Sequence, residues 1–481
     1  MAAQLLGRKE FAHSDQESFA RLSGDWNPMH MDPIAARRTQ AAAQVVHGIH
    51  LLLWALDTLA AKLDESQFIS LVRVRFTSPV LVGDCAELLL LDIKDTGCSL
   101  QIEVEGTIAC RTEIKLGSLA ACPPPFEIGD TDPVLPAAPV LLELEEIPSQ
   151  KGQVRFACLE QDISKTFPTI CAKWTPSRVQ SVLATTTLVG MVCPGLNSLF
   201  AGLSLSACED GNETGALSYA VQSVDERFRL TKMKVAGPGL FGTVDAFVRL
   251  PPTAQLGAKE LAGHFAPQEF AGTVVLVVGG SRGLGELTAK LLASAGAEVI
   301  VTYARGKDDA ERVASEIISA GWKCRVIPYD VTSPAEPQLA DLVGRVTHLY
   351  YFATPAIFRK QAEIFSLSRY EEFSAYYVTG FYNLIHALSA KGSQKLAAYY
   401  PSSIAVENRP REMTEYAMAK MAGEVLCADL NSFSPNVRVV VSRLPRVKTD
   451  QTATPMPVES ADPVEVMLDA IRKTQLLATT S

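Results

Sequence analysis

The chain has 481 residues, 47% of them hydrophobic and 20% charged, which excludes a disordered, collagen-like or highly charged protein. At about 150 residues per domain, this length implies about three domains. With 44 Lys and Arg against 53 Asp and Glu, the net charge of −9 repels polyphosphate, so nucleic acid is not an expected partner.

The N-terminus has no basic segment followed by an apolar core, so no secretory signal is expected. The ten cysteines are scattered, with no CxxC pair and no Cys/His grouping at zinc spacing. They read as reduced structural thiols in a cytoplasmic protein without a metal site.

The first informative segment is Ser23-Gly-Asp-Trp-Asn-Pro-Met-His-Met-Asp32. It sets the Asp25 carboxylate and the His30 imidazole on either side of a proline-containing turn. Brought together, such a pair can share one water, one group taking its proton while the other carries a proton to a neighbouring carbon. Val46-His-Gly48 then opens an apolar helix expected over 46–62, whose free first-turn N–H groups can polarise a carbonyl. Strands are expected at 70–76, 86–92 and 100–109, which together with the helix give an α+β unit. These motifs, with Arg75-Phe-Thr-Ser-Pro-Val-Leu-Val-Gly-Asp84, resemble the MaoC-like family of (R)-specific enoyl-thioester hydratases over about residues 10–117. The resemblance implies a hot dog fold in which Asp25 and His30 activate or release water. It also implies that Asn27 fixes the local geometry and that the Gly48 amide contacts the thioester oxygen. His47 is expected to be structural or supporting, and His50 a core or groove residue.

Pro123-Pro-Pro125 and the Pro- and Asp-rich stretch 130–139 mark a break, after which residues 140–250 repeat the plan. Phe156-Ala-Cys-Leu-Glu-Gln-Asp162 echoes Phe19-Ala-Arg-Leu-Ser-Gly-Asp25. Counted from Asp162, the imidazole position falls at Phe167 and the asparagine position at Ser164, and Val192-Cys-Pro-Gly195 stands where Val46-His-Gly48 stood. This unit is expected to be a second hot dog fold without catalysis, packed on the first and shaping the acyl channel. Cys193, lacking a His/Asp partner pattern, is expected to be a buried thiol. The uncharged run 179–208 exceeds the ~20 residues of a membrane span. Its Pro194, Asn197 and many Ser, Thr and Gly residues favour a buried helix in a non-membrane protein.

A second linker, 251–269, leads to alternating strands and helices, the pattern of a parallel sheet covered on both faces. The strand Thr273-Val-Val-Leu-Val-Val278 runs into Gly279-Gly-Ser-Arg-Gly-Leu-Gly285, where glycines let a pyrophosphate approach a helix N-terminus. Tyr-x-x-x-Lys occurs twice, at Tyr303/Lys307 and Tyr416/Lys420; the second opens a long late helix, thirteen residues after Ser403. On a helix this spacing puts an ammonium near a phenol. Gly279, Gly283, Gly285, Asp330, Val331, Ser403, Tyr416 and Lys420, in this order, resemble the short-chain dehydrogenase/reductase family over about residues 270–450. The resemblance implies a doubly wound Rossmann sheet. Tyr416 would be the proton donor, Lys420 would hold the cofactor ribose and lower the tyrosine pKa, and Ser403 would orient the substrate oxygen. The implied cofactor-binding set is Gly279, Ser281, Arg282, Gly283, Gly285, Arg305, Asp330, Val331, Ala353, Lys420 and Pro445, with Asp330 at the adenine and Pro445 beside the nicotinamide. The second strand ends Thr302-Tyr-Ala-Arg305 without a carboxylate for a ribose 2′-hydroxyl, and Arg282 and Arg305 suit a 2′-phosphate, so NADPH (NADP) is expected over NADH. Two positions depart from the family: Phe352-Ala-Thr-Pro355 replaces its Asn-Asn-Ala-Gly, and Tyr377 stands at its relay asparagine. Either the phenol serves as relay, or the reductase is slow or inactive.

The expected organisation is therefore an α+β double hot dog (1–120 and 121–260) followed by an α/β Rossmann domain (268–481). The expected function is bifunctional: an (R)-specific 2-enoyl-CoA or acyl-carrier-protein hydratase (3-hydroxyacyl dehydratase) joined to an NADPH-dependent 3-oxoacyl-thioester reductase of fatty acid metabolism. Partners would be acyl-CoA or acyl carrier protein thioesters, with Arg37, Arg38, Arg73 and Arg75 as candidate local cations, and a second copy bound through the reductase domain. Two alternatives stay open: a hydratase with an inactive nucleotide-binding domain, and a non-catalytic acyl-chain or carrier-protein docking scaffold.

Overall fold

The computed structural model describes residues 3–122, 132–209, 215–358, 363–389, 395–452 and 458–480. Of the first linker, Pro123–Pro125 and Asp130 lie outside the described residues. The chain divides into two units at Pro251 and Pro252.

The first unit is built on ten strands: β1 (Gln4–Glu10), β2 (Ile69–Phe76), β3 (Cys85–Lys94), β4 (Gly97–Val104), β5 (Thr107–Leu116), β6 (Lys151–Arg155), β7 (Ser198–Ala207), β8 (Ala216–Asp225), β9 (Leu230–Gly237) and β10 (Leu240–Val248). They form one sheet in the order β1-β3-β4-β5-β2-β7-β10-β9-β8-β6. Read inward from either edge, each half has the same succession, so the internal repeat lies in the topology. The two halves meet where β2 pairs antiparallel with β7, from Leu71 opposite Ser206 to Arg75 opposite Gly202. Alternation sets the register: Val72 and Val74 are buried, whereas Arg73 and Arg75 face solvent.

The helix Gly48–Ala60 buries Ile49, Leu51, Leu52, Leu53, Leu56 and Leu59 against this sheet. Its counterpart is the helix Pro176–Thr187, extended by a π-helical turn, Leu188–Val192. The uncharged run 179–208 is thus a buried helix, a turn and β7, and no helix among the described residues is long and apolar enough to cross a membrane. Trp174 is fully buried in the second half and donates its indole N–H to the Ile69 carbonyl of the first, at 2.8 Å.

Three expectations change. The single strand expected at 100–109 is instead the end of β4, a two-residue turn and the start of β5. Glu105 (φ 49°) and Gly106 (φ 73°) both adopt positive φ, the backbone a tight hairpin requires. The echo Phe156–Asp162 is out of step with its model: Phe19 lies within the helix His13–Ser23, whereas Phe156 follows β6 directly and Asp162 sits inside the helix Glu160–Thr166. Likewise, Val192-Cys-Pro-Gly195 follows the apolar helix of the second half rather than opening it. The residue that opens that helix, where Gly48 stands in the first half, is Pro176, which has no N–H to offer.

The second unit holds six parallel strands: β11 (Val274–Val278), β12 (Glu298–Tyr303), β13 (Cys324–Pro328), β14 (His348–Tyr351), β15 (Leu396–Ser403) and β16 (Val437–Leu444). Their order, β13-β12-β11-β14-β15-β16, is the doubly wound succession that reverses direction beside β11. Alternate residues of β11 feed two cores, Leu276 and Val278 on one face, Val275 and Val277 on the other. The expected linker 251–269 is shorter than its sequence suggests, because Ala258, Leu261 and Phe265 are buried in the second unit.

A Cβ on Gly202 would lie 2.5 Å from the Val74 carbonyl oxygen across the β2–β7 seam. Gly202→Val should therefore destabilise the first unit by about 1–3 kcal/mol in chemical denaturation. An unchanged midpoint would show that the seam tolerates the added volume.

Candidate functional sites

In the first unit, the helix His13–Ser23 ends at Gly24 in the left-handed conformation (φ 80°), which turns the chain so that Asp25 points inward. Asn27 caps the short helix Pro28–Met31 by accepting from the Met29 N–H at 3.0 Å, and its Nδ2 donates to the Gly190 carbonyl at 2.9 Å. His30, on that turn, has its Nδ1 2.6 Å from the Val45 carbonyl. The carbonyl can only accept, so Nδ1 carries the proton and Nε2 presents a lone pair.

Asp25, His30 and His47 are all buried, and their ligating atoms lie within 4.8 Å of one another. Burial pushes the Asp25 carboxyl above its ordinary value, opposed by the nearby His30 and by hydrogen bonds from Thr186 and the Asn27 backbone. Burial lowers His30, against the attraction of Asp25. Asp25 accepts from Thr186 Oγ1 at 2.6 Å and from the Asn27 N–H at 3.1 Å.

His47 stacks on His30 with ring centroids 3.9 Å apart. Burial, then the neighbouring His30, keeps it well below the usual imidazole range, so the ring is neutral and has one N–H. Its Nε2 lies 3.1 Å from the Asp25 carbonyl, and its Nδ1 lies 2.9 Å from Gln16 Oε1, which also accepts from the His47 backbone N–H at 3.3 Å. With both His47 nitrogens, His30 Nδ1 and both Asp25 oxygens engaged, His30 Nε2 is the lone pair of the trio that points to no hydrogen-bond partner among the described residues. His50 stacks on Phe19 (centroids 4.6 Å) as a core residue, its pKa pushed down to about 3 by burial. Gly48 opens the apolar helix, so its N–H has no acceptor within that helix; a Cβ there would lie 2.9 Å from the Phe76 ring. Arg73 and Arg75 share one face of β2, and Arg73 pairs with Glu113 at 3.4 Å. Cys193 is buried, with its thiol pushed up to about 12 by burial.

In the second unit, the turn after β11 fits a nucleotide pyrophosphate. Gly279 (φ 76°) and Gly283 (φ 58°) adopt backbone that L side chains rarely take, and a Cβ on Gly285 would lie 2.3 Å from the Gly279 carbonyl. A Cβ on Gly279 would lie 3.0 Å from the Ala353 amide, which puts Ala353 against the turn. Ser281 is buried there, and the helix Gly283–Ser294 begins at the turn. Arg282 pairs with Asp450 at 3.5 Å, whereas Arg305, past the end of β12, is exposed. Asp330 accepts from the N–H and hydroxyl of Thr332 and feels the charge of Arg305; together these hold its carboxyl below the usual range. Val331 is buried beside it, and Pro445 follows the carboxyl end of β16.

Tyr416 and Lys420 lie on one helix, Thr414–Phe433. Tyr303 and Lys307 do not: the first ends β12 and the second begins the helix Lys307–Ser319. Tyr416 hydrogen-bonds Ser403; burial raises its pKa and the Ser403 bond opposes that rise. Lys420 Nζ donates to the Pro401 carbonyl at 2.7 Å and lies 3.7 Å from the centre of the Tyr377 ring, but 5.9 Å from that of Tyr416. The Lys420 amine is thus held between the Pro401 carbonyl and the Tyr377 ring. Tyr377 is fully buried in a π-helical turn, Ala375–Gly380, and shares a hydrogen bond of 2.5 Å with Thr354.

The MaoC like domain family matches residues 7–108, and the short chain dehydrogenase family matches residues 273–457. The chain is a fusion of these two families. A mitochondrial 3-hydroxyacyl-[acyl-carrier-protein] dehydratase of Arabidopsis thaliana is 32% identical over 74 residues, 15% of this chain and 44% of that protein. A 3-oxoacyl-[acyl-carrier-protein] reductase of Synechocystis is 40% identical over 63 residues, 13% of this chain and 26% of that protein. The chain thus spans less than half the length of either relative. A short chain dehydrogenase from Burkholderia cenocepacia, solved in complex with NADP, is 21% identical, with a TM-score of 0.37, covering 42% of this chain and 91% of that one. The dehydrogenase family and the glycine turn together give the second unit a nicotinamide nucleotide as its cofactor.

The MaoC-like match ends before the second half of its unit, yet that half touches Asp25 directly. Thr186 and Gly190, both beyond the match, were not singled out from the sequence. Their signal was there: Thr185-Thr186-Thr187 is a polar run inside an apolar helix, and buried hydroxyls need partners.

In the dehydrogenase domain, burial lowers Lys420 to about 7, against 10.5 for a free lysine. Such a lysine takes up a proton on unfolding at any pH between these values, so its burial costs stability that is recovered as pH rises. The nucleotide-free protein should gain thermal stability relative to Lys420→Met as pH is raised from 7 towards 10.5. A difference in Tm that does not change with pH contradicts this account of the lysine.

Proposed function

We propose that the protein interconverts acyl thioesters at two sites, as an (R)-specific 2-enoyl-thioester hydratase and as an NADPH-dependent 3-oxoacyl-thioester reductase. The observation that carries this reading is the buried Asp25–His30 pair in one unit, together with a Ser403–Tyr416 hydrogen bond, Lys420 on the Tyr416 helix and a glycine turn in the other. Both sites suit one compound, since adding water across C2–C3 of a 2-enoyl thioester gives the 3-hydroxyacyl thioester that the reductase would form from the 3-oxo compound.

In the first unit, His30 Nε2 takes a proton from water as the water oxygen bonds to C3. Asp25 gives its proton to C2, which takes up the π electrons, and the proton on His30 then returns to Asp25. The Gly48 amide, at the positive end of its helix, receives the thioester oxygen as charge builds there. Dehydration is the reverse. We read this unit as two hot dog folds sharing one sheet, a reading supported by the matching strand order of its halves.

In the second unit, a nicotinamide nucleotide held at the turn Gly279–Gly285 would supply the hydride chemistry for a carbonyl carbon. Tyr416 donates its proton to the carbonyl oxygen, which Ser403 orients, and Lys420 faces the ribose. Arg305, exposed past β12, is the cation we assign to a 2′-phosphate, because Arg282 is engaged by Asp450.

Tyr416→Phe should lower thioester-dependent NADPH oxidation by roughly 10²-fold or more and leave hydration intact, and Asp25→Asn should do the converse. These rates are measured separately, with a 3-oxoacyl and a 2-enoyl thioester. Full activity in either variant removes that residue from the mechanism.

A further inference from the structure

The second half of the MaoC-like unit has no dyad of its own, but its helix Pro176–Thr187 and the π-turn after it run along the segment that bears Asp25. Four residues of that helix and turn, Thr186, Thr187, Gly190 and Met191, meet the segment from Ser23 to Asn27. Thr187 donates to the Ser23 carbonyl, Thr186 to the Asp25 carboxylate, Met191 sulfur accepts from the Trp26 N–H, and the Gly190 carbonyl accepts from Asn27.

Thr186 stands apart from its neighbour. Thr185 bonds back to the Val182 carbonyl within its own helix, as buried helical threonines commonly do. Thr186 instead donates out of the helix to Asp25 Oδ2 at 2.6 Å. The π-turn brings the bare Cα of Gly190 against the same carboxylate, where a Cβ would lie 2.3 Å from Oδ1 and 2.6 Å from Oδ2. Gly190 has ordinary backbone, so it is the closeness of Asp25 that requires a glycine. With the Asn27 N–H on Oδ1 and Thr186 on Oδ2, each oxygen has a donor from a different half of the unit.

We propose that Thr186 is a positioning residue for hydration: the half without a dyad sets the orientation and acidity of the Asp25 carboxyl through one hydroxyl, with Gly190 providing the space. This inference rests on the hydratase reading of the Asp25–His30 pair. When Asp25 releases its proton, the Thr186 hydroxyl stabilises the carboxylate that remains. Without it the carboxyl becomes a weaker acid, and whichever limb of the pH profile Asp25 controls moves to higher pH.

The test compares Thr186→Val, which keeps the shape and removes the hydroxyl, with Thr186→Ser, which retains it. Thr186→Val should lower kcat for hydration of a 2-enoyl thioester on the order of tenfold, with KM little changed, and shift the Asp25-controlled limb upward. Thr186→Ser should recover most of the rate, and NADPH oxidation by either variant should match wild type. The Asp25 carboxyl is followed independently by 13C NMR of protein labelled at the aspartate carboxyls, assigned by loss of its signal in Asp25→Asn. Its midpoint should rise in Thr186→Val and return in Thr186→Ser. Wild-type kinetics and an unmoved midpoint in Thr186→Val overturn the proposal. A moved midpoint in a protein that does not hydrate enoyl thioesters sinks the hydratase reading and leaves the positioning role standing. If Thr186→Val does not fold, Thr186→Ala gives the same comparison.

Discussion

The antiparallel pairing of β2 with β7 is the contact on which the first unit depends. It joins two five-stranded halves into one ten-stranded sheet and removes an exposed edge from each. Because the halves are related end to end across that seam, the apolar helix of one is carried to the turn that follows the first helix of the other. The buried carboxylate of Asp25 is the result. A carboxyl taken out of water is costly to ionise, and it is tolerable here because Thr186 and the Asn27 backbone donate to it and His30 stands nearby. A half-unit alone would leave one oxygen without its donor.

The two halves have diverged through backbone chemistry as much as through side chains. The first opens its apolar helix with Gly48, whose N–H is free to meet a carbonyl; the second opens it with Pro176, which removes that donor. Residues 121–250 also contain no histidine, so the second half has no imidazole to match His30. What the second half retains is its packing and the polar run Thr185-Thr186-Thr187, now turned to the service of Asp25 and Ser23. In the dehydrogenase domain, the switch in strand order beside β11 places the glycine turn, Ala353 and the ends of β15 and β16 on one side of the sheet. Lys420 there is enclosed by tyrosines, with Tyr377 beneath its ammonium, and burial of that charge brings its pKa close to neutrality.

Much of this was legible in the sequence where the chemistry is local. Asp25 and His30 are five residues apart, Tyr416 and Lys420 lie one helical turn apart, and Gly279 to Gly285 is a single turn, so each group was visible as a local motif. The repeat was also legible, although in the wrong register. Matching Phe156–Asp162 to Phe19–Asp25 followed similar letters, whereas the equivalence is between elements in the sheet, and so Val192–Gly195 was set against a helix start that belongs to Pro176. The Glu105-Gly106 turn was missed because apolar alternation continues on both of its sides, and only the positive φ of both residues breaks the strand. Thr186 was beyond reach by spacing, because the hydrogen bond that gives it meaning spans 161 positions. Lys420 shows the same limit: the helix put it one turn from Tyr416, but the Pro401 carbonyl and the Tyr377 ring decide where its ammonium points.

The central claim is that one chain carries both a hydration site and a reduction site for the same family of thioesters. The most direct measurement supplies wild-type protein with a short 3-oxoacyl-CoA and NADPH and identifies the products by mass spectrometry. The account predicts both the 3-hydroxyacyl and the 2-enoyl thioester, with one NADPH consumed for each molecule of the two together, and the same mixture of these two when reaction starts from the 2-enoyl compound. NADPH left unconsumed, or a 3-hydroxyacyl product that never yields the enoyl form, would contradict it.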